Sequence, residues 1–219
     1  MEAGTTTARE PVRGESARSR VESGNGVARV LPVTADPGPL GLAAFALTTF
    51  VLSMFNADLV GAGGRPVVLG VALAYGGLAQ LLAGMWEFRT GNTFGAVAFT
   101  SFGAFWLSFW ALNQFYAKDI PAGDLGHAVG LYLIAWGVFT TYMLVASFRV
   151  SVAVMLVFFA LAITFFLLGI GEAGAHTGLV KAGGWAGLVT AALAWYASFA
   201  AVTNATFGRI ILPVRELKR

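Results

Sequence analysis

The chain has 219 residues, of which 57% are hydrophobic and 11% charged, with no cysteine and a net charge of +3. Soluble domains carry about 25% charged residues, and the mean hydropathy here is +0.74. A soluble fold, a disulfide framework and a thiolate metal site are therefore excluded, and the small positive charge is no sign of nucleic acid.

Residues 1–35 hold Arg9, Arg13, Arg18, Arg20 and Arg29 interleaved with Glu2, Glu10, Glu15 and Glu22, without apolar periodicity. This predicts a disordered cytoplasmic tail, not a secretory signal. Six apolar stretches of 21 to 23 residues follow, at Pro39–Leu59, Pro66–Phe88, Phe94–Tyr116, Leu125–Ser147, Ser151–Gly171 and Gly183–Ala205. A bilayer core about 30 Å thick needs ~20 helical residues, so each stretch spans once. The expected domains are the tail (1–35), a six-helix membrane domain (36–213) and a short basic C-terminal tail (214–219). With the N-terminus inside, every Lys and Arg except Arg65, Lys118 and Lys181 falls on the cytoplasmic side. That asymmetry places both termini in the cytoplasm.

The first span opens with two prolines, which suit a helix's first turn, and with Asp36 placed to cap it. Thr49, Ser53 and Asn56 share one face of this helix, either for interhelical bonding or for lining a pore. The second span carries Gly70, Gly77 and Gly84 as a close-packing seam and Gln80 as a mid-membrane polar group that needs a partner. Glu87 is expected to pair with Arg89 at the inner interface. In the third span, Asn92 or Thr93 caps a helix crowded with Phe and Trp. The fifth span is the most uniformly apolar, Thr164 its only interior hydroxyl, and is expected to turn much of its surface to lipid. Gly183, Gly187 and Ala191 form a small-residue seam in the sixth. Trp86, Trp110, Trp136 and Trp185 are placed at span ends, as interfacial rings.

The chain has no nucleotide-binding loop, no Gly-x-Ser-x-Gly or His-Glu-x-x-His pattern, no mid-span carboxylate pair and no lysine inside a span. An enzyme, an ATP-driven pump and a retinal protein are thereby disfavoured, and no metal or cofactor is expected. Permeation of a small weak acid or small neutral solute is what remains. A membrane scaffold or sensor acting through its tail is the reading from another class, and the short loops argue against it.

Asp36-Pro37-Gly38-Pro39-Leu40-Gly41-Leu42 resembles the NPAPLGL signature of the acetate/succinate transporter (YaaH-type) family. Tyr75–Trp106, WGVFT at Trp136–Thr140 and NATFGRIILP at Asn204–Pro213 resemble further family motifs in the same order. The resemblance implies an all-α membrane protein of six helices with a central pore in each protomer, assembled as a homo-hexamer in the cell (inner or plasma) membrane. It also implies passage of acetate, with succinate as a second cargo, as an anion channel or proton-coupled symporter. An acid-gated channel for urea or amides shares the fold and is the alternative. The family's hydrophobic constriction matches Phe45, Phe102 and Leu161, with Phe102 in place of a Tyr. Thr48, Thr49, Gln80, Ala194 and Asn204 are the candidates for lining the path. Asp36 and Gly38 depart from the family's Asn and Ala.

Overall fold

The computed structural model describes residues 21–22, 29–30 and 34–217. The chain divides into two units, residues 1–35 and 36–219. In the first, β1 (Val21–Glu22) pairs antiparallel with β2 (Arg29–Val30). Apart from residues 34 and 35, the rest of the expected tail lies outside the described residues.

In the second unit, α1 (Gly38–Asn56) starts after Pro37 and holds Pro39 in its first turn. A missing N–H is harmless there, since the first amides of a helix have no partner within it. Asp36 Oδ1 accepts the Gly38 amide at 2.8 Å. A short 3₁₀ turn (Ala62–Gly64) leads into α2 (Val67–Leu73), which continues through a π turn (Ala74–Ala79) into α3 (Gln80–Thr90). α3 stops at Gly91, whose φ of 79° is left-handed and suits a residue without Cβ. Asn92 then caps α4 (Thr93–Ala111), its Oδ1 accepting the Gly95 amide at 3.1 Å. α4 runs on through a π turn (Leu112–Tyr116) and a 3₁₀ turn (Ala117–Asp119). α5 (Ala122–Ser147), α6 (Val152–Ala173) and α7 (Thr177–Phe207) complete the bundle. Ser151 caps α6 by accepting the Val154 amide at 3.2 Å.

Among the described residues, six helical segments are long and apolar enough to cross a membrane, matching the six predicted spans in order. The last begins at Thr177 and not at Gly183. Its first turns carry Lys181, which pairs with Asp58 at 2.6 Å. Hydropathy alone loses the helix there, because polar turns outside the apolar window do not count toward a span. The Lys181 ammonium, by hydrogen bond first and by charge second, holds the Asp58 carboxyl below its usual range.

α1 packs extensively on α7, α7 on α6, α6 on α5, and α3 on α4. α4 and α5 meet chiefly through aromatic side chains: Phe105 stacks on Tyr132 with centroids 5.7 Å apart, and Phe102 meets Phe139 edge-on at 5.3 Å. Small residues make the tight seams. The Cβ of an alanine at Gly76 would sit 2.5 Å from Thr48 Oγ1, and one at Gly183 2.7 Å from Leu168. Gly187 lies against Ser53, and Gly84 against the Thr100 backbone. Gly70, the third member of the predicted heptad seam, faces open space. The π turn Ala74–Ala79, which contains Gly77, widens the helix there and rotates the seam off register. Gly103 also meets backbone, since a Cβ there would lie 2.6 Å from the Leu81 amide nitrogen. Backbone cannot swing away, so Gly103→Ala is expected to cost roughly 1–3 kcal/mol through overpacking, read as a lower melting temperature in detergent.

α6 qualifies one expectation without overturning it. Half of its most apolar window is buried, the largest share of any span. In a bilayer, lipid and protein interior are equally apolar, so hydropathy does not separate a central helix from a peripheral one. Trp136 overturns another: it lies in the aromatic cluster, 5.3 Å from Phe105 and 5.5 Å from Phe139 between centroids. Trp86 and Trp185 are exposed, as interfacial rings should be.

Candidate functional site

A cavity of about 380 Å³ opens between α1, α4, α5 and α6 at the end of the bundle away from Gly38 and Phe207. One wall is the α1 face of Thr49, Ser53 and Asn56, all of which line it. The shared face therefore borders the cavity, while Ser53 also packs against Gly187 of α7. Phe105, Trp106 and Phe109 form the α4 wall, and Thr164, Phe165 and Leu168 belong to the α6 wall. The cavity ends on Phe45 and Leu161.

Those two residues and Phe102 are each 3–4% exposed and belong to one core cluster. The Phe45 and Phe102 centroids are 5.6 Å apart, and Phe102 stacks on Phe165 at 6.4 Å. Phe158 adds a further ring, 6.0 Å from Phe102 and 5.3 Å from Phe94. The structure therefore brings together the three residues that the resemblance assigns to a constriction, and backs them with more aromatics. Phe102 lacks the hydroxyl of the family's Tyr, so this plug is wholly apolar.

Two polar atoms stand out above the plug. Thr49 Oγ1 and Trp106 Nε1 are both buried without a hydrogen-bond partner among the described residues, and both residues line the cavity. Buried donors are normally satisfied. Both atoms are shut off from the cavity itself, although their residues border it. Trp106 closes the motif Tyr75–Trp106, yet sequence alone suggests only packing for it. Its indole N–H is the signal that could have found it.

The remaining candidates are placed elsewhere. Thr48 is fully buried and donates to Ala44 O at 3.0 Å, on the side of α1 facing Gly76. Gln80 is 1% exposed with Oε1 unpartnered, and does not line this cavity. Ala194 lies fully buried in the same core cluster as Phe45 and Leu161.

Asn204 ties down the segment after α7. Its Oδ1 accepts the amides of Ile211 at 2.7 Å and Leu212 at 3.0 Å, and its Nδ2 donates to Leu212 O at 2.8 Å. Beyond it, Arg215 O accepts the Val152 amide and Leu217 N–H donates to Val150 O, joining the C-terminal segment to the α5–α6 turn. Asn204→Ala is expected to cost about 2 kcal/mol, near 1 kcal/mol for each of two or three lost bonds. Earlier melting and faster proteolysis beyond Gly208, with solute flux unchanged below the melting point, are the readouts.

The signature motif sits at the opposite end from the cavity mouth. Gly41 lies against Phe99, where a Cβ would be 2.6 Å from the ring. Asp36 is exposed, and Gly38 lies between its carboxylate and that of Glu87. Glu87 corrects its expected pairing with Arg89. It is 1% exposed, accepts the Thr90 hydroxyl at 3.1 Å and leaves Oε1 without a partner among the described residues. Residues i and i+2 point to different sides of a helix, so Arg89 faces outward while Glu87 faces in.

Six helices long and apolar enough to cross a membrane, with a cavity open at one end of the bundle, define a multi-pass membrane protein. The chain belongs to the GPR1/FUN34/yaaH family, whose model matches residues 25–219. It is 48% identical over 175 residues to accumulation of dyads protein 2 of Saccharomyces cerevisiae, covering 78% of this chain and 62% of that one. It is 37% identical over 182 residues to the succinate-acetate/proton symporter SatP of Escherichia coli, covering 83% of this chain and 96% of that one. This chain thus spans under two thirds of the yeast relative and nearly all of the bacterial one. Among solved structures it is similar to the bacterial acetate channel SatP, with TM-score 0.78, 36% identity, and coverage of 83% of this chain and 99% of that one.

Proposed function

We propose that this multi-pass membrane protein carries small carboxylates, acetate foremost and succinate also, along a path through each protomer. The observation that carries the reading is the cavity that runs from the polar α1 face of Thr49, Ser53 and Asn56 to a floor of Phe45 and Leu161. An acetate ion suits both halves: its carboxylate faces the polar wall while its methyl group meets the apolar floor. The plug of Phe45, Phe102 and Leu161 is the constriction. Apolar rings block hydrated ions by desolvation, so a solute with an apolar end has the lower barrier. The names of the bacterial relative and the structural neighbour support the same cargo. The positive-inside asymmetry supports cytoplasmic termini, which places the cavity mouth outside. The family resemblance supports a homo-hexamer. Exposed rings such as Trp86, Phe88 and Phe199 supply apolar outer faces for neighbours or lipid. No catalytic role is assigned.

Labelled acetate uptake into proteoliposomes tests the proposal, with and without an inward proton gradient and alongside succinate and urea. Acetate flux without a gradient is the channel result, and flux only with one is the symport result. Acetate uptake no faster than in empty vesicles overturns the proposal, and rapid urea uptake in its place assigns the path to neutral solutes.

A further inference from the structure

The mouth of the cavity carries a charge that the function above does not use. Of the cavity's lining residues, two are charged: Arg65, in the link between α1 and α2, and Glu172, near the end of α6. Arg65 follows the 3₁₀ turn Ala62–Gly64 and is exposed. Its Nη2 donates to Asn56 Oδ1 at 3.4 Å, and Asn56 lines the same cavity.

The partner matters. A carboxamide orients the guanidinium without cancelling its charge. Lys181, on the first turns of α7, shows the contrast, because Asp58 neutralises it at 2.6 Å. Lys118 is not part of the cavity lining. The uncancelled cation at the mouth is thus Arg65, above walls that include Phe105, Phe109, Leu112 and Leu125. Low-dielectric walls focus such a field and raise the local concentration of counter-ions. The planar fork of an arginine matches the two oxygens of a carboxylate.

We propose that Arg65 is the capture residue for carboxylate anions at the cavity mouth, positioned by Asn56, and that Glu172 on the α6 wall weakens its hold. This inference rests on the carboxylate reading of the path. An anion first meets Arg65 in water, then leaves it for the polar α1 wall of Ser53 and Thr49 above the plug. A mouth with the cation alone would retain the anion longer. Glu172 adds repulsion, which lowers occupancy and favours onward movement. Ser53, between Asn56 and Thr49 on the same face of α1, lines the intervening wall.

The test is initial-rate acetate uptake against concentration in proteoliposomes, at a pH where acetate is ionised, for wild type, R65Q, R65K and E172Q. Size-exclusion profiles verify folding, and Arg65 is exposed, so the variants leave the core intact. R65Q is expected to raise the apparent KM about fivefold, the size of a partly exposed charge contact near 1 kcal/mol, with the maximal rate little changed. R65K keeps the charge and recovers most of that affinity, and E172Q lowers KM. Raising salt from about 0.05 M to about 0.5 M shrinks the difference between wild type and R65Q, because the Debye length falls and an exposed charge is screened. A merely structural role would not move with salt. If wild type transports acetate and R65Q superimposes on it at both salt concentrations, the inference is overturned and the carboxylate reading stands. It is overturned in the same way if R65Q lowers only the maximal rate. If wild type moves no acetate, both fall together.

Discussion

Phe45→Ala is expected to raise acetate flux about tenfold and to admit bulkier monocarboxylates that the wild type excludes. Phe45 is both the floor of the cavity and a partner of Phe102, with centroids 5.6 Å apart. Its removal leaves Leu161 as the remaining floor residue and takes one ring from the barrier to a hydrated carboxylate. A barrier lowered by about 1.4 kcal/mol is a tenfold gain in rate, less than the contacts a whole phenyl ring makes. The change also costs stability, roughly 3 kcal/mol by the usual range for Phe→Ala in a packed interior. Flux and melting temperature therefore move in opposite directions. Leu161→Ala is the milder companion, with a smaller gain in flux and a loss near 2 kcal/mol. Competing uptake of acetate and butyrate by the same vesicles reads the change in size selectivity. If flux falls in both variants in proportion to the folded fraction, Phe45 and Leu161 are packing residues and the constriction lies elsewhere.

How far the sequence reaches can be judged residue by residue. Span number and order are legible because a 30 Å apolar core imposes ~20 apolar residues on any helix that crosses it. The lining face Thr49–Ser53–Asn56 is visible as a periodicity, but two functions fit it, and the folded chain has it border the cavity while Ser53 also packs against Gly187. Trp106 reads as packing in one dimension, since a tryptophan's polar atom is small beside its ring and its lack of a partner is a three-dimensional fact. Glu87 misleads for a related reason. A carboxylate near a span end looks interfacial along the chain, while Gly38 and Gly95 leave room for it inside. The central place of α6 is hidden because the property that reveals a core helix in water, its apolar face, carries no contrast in lipid. Arg65 is, along the chain, only one of few cations on its side, and the Asn56 carboxamide that orients it lies across a loop.

Thr49→Val is expected to separate binding from stability, and the sign is the test. The wild-type hydroxyl is buried with no partner among the described residues. An unsatisfied buried polar group costs about 1–3 kcal/mol, so replacing it with a methyl of nearly the same volume relieves that cost. The variant should melt at the same temperature or higher. Its acetate uptake should nevertheless fall if the hydroxyl turns from its buried position into the cavity to meet the ion, with apparent KM rising about tenfold or more, the worth of a hydrogen bond to an ion of about 1.5 kcal/mol or above. Trp106→Phe removes the other donor while keeping an aromatic ring on the wall, and should raise KM by a similar factor. It also leaves a space where the indole packed, so its stability falls. If the two donors hold one carboxylate, the double variant loses less than the product of the single losses, since either change alone already unseats the ion. A Thr49→Val protein that melts earlier and keeps wild-type KM would show a hydroxyl that serves packing alone, and the seat above the plug would then have to be built from other atoms.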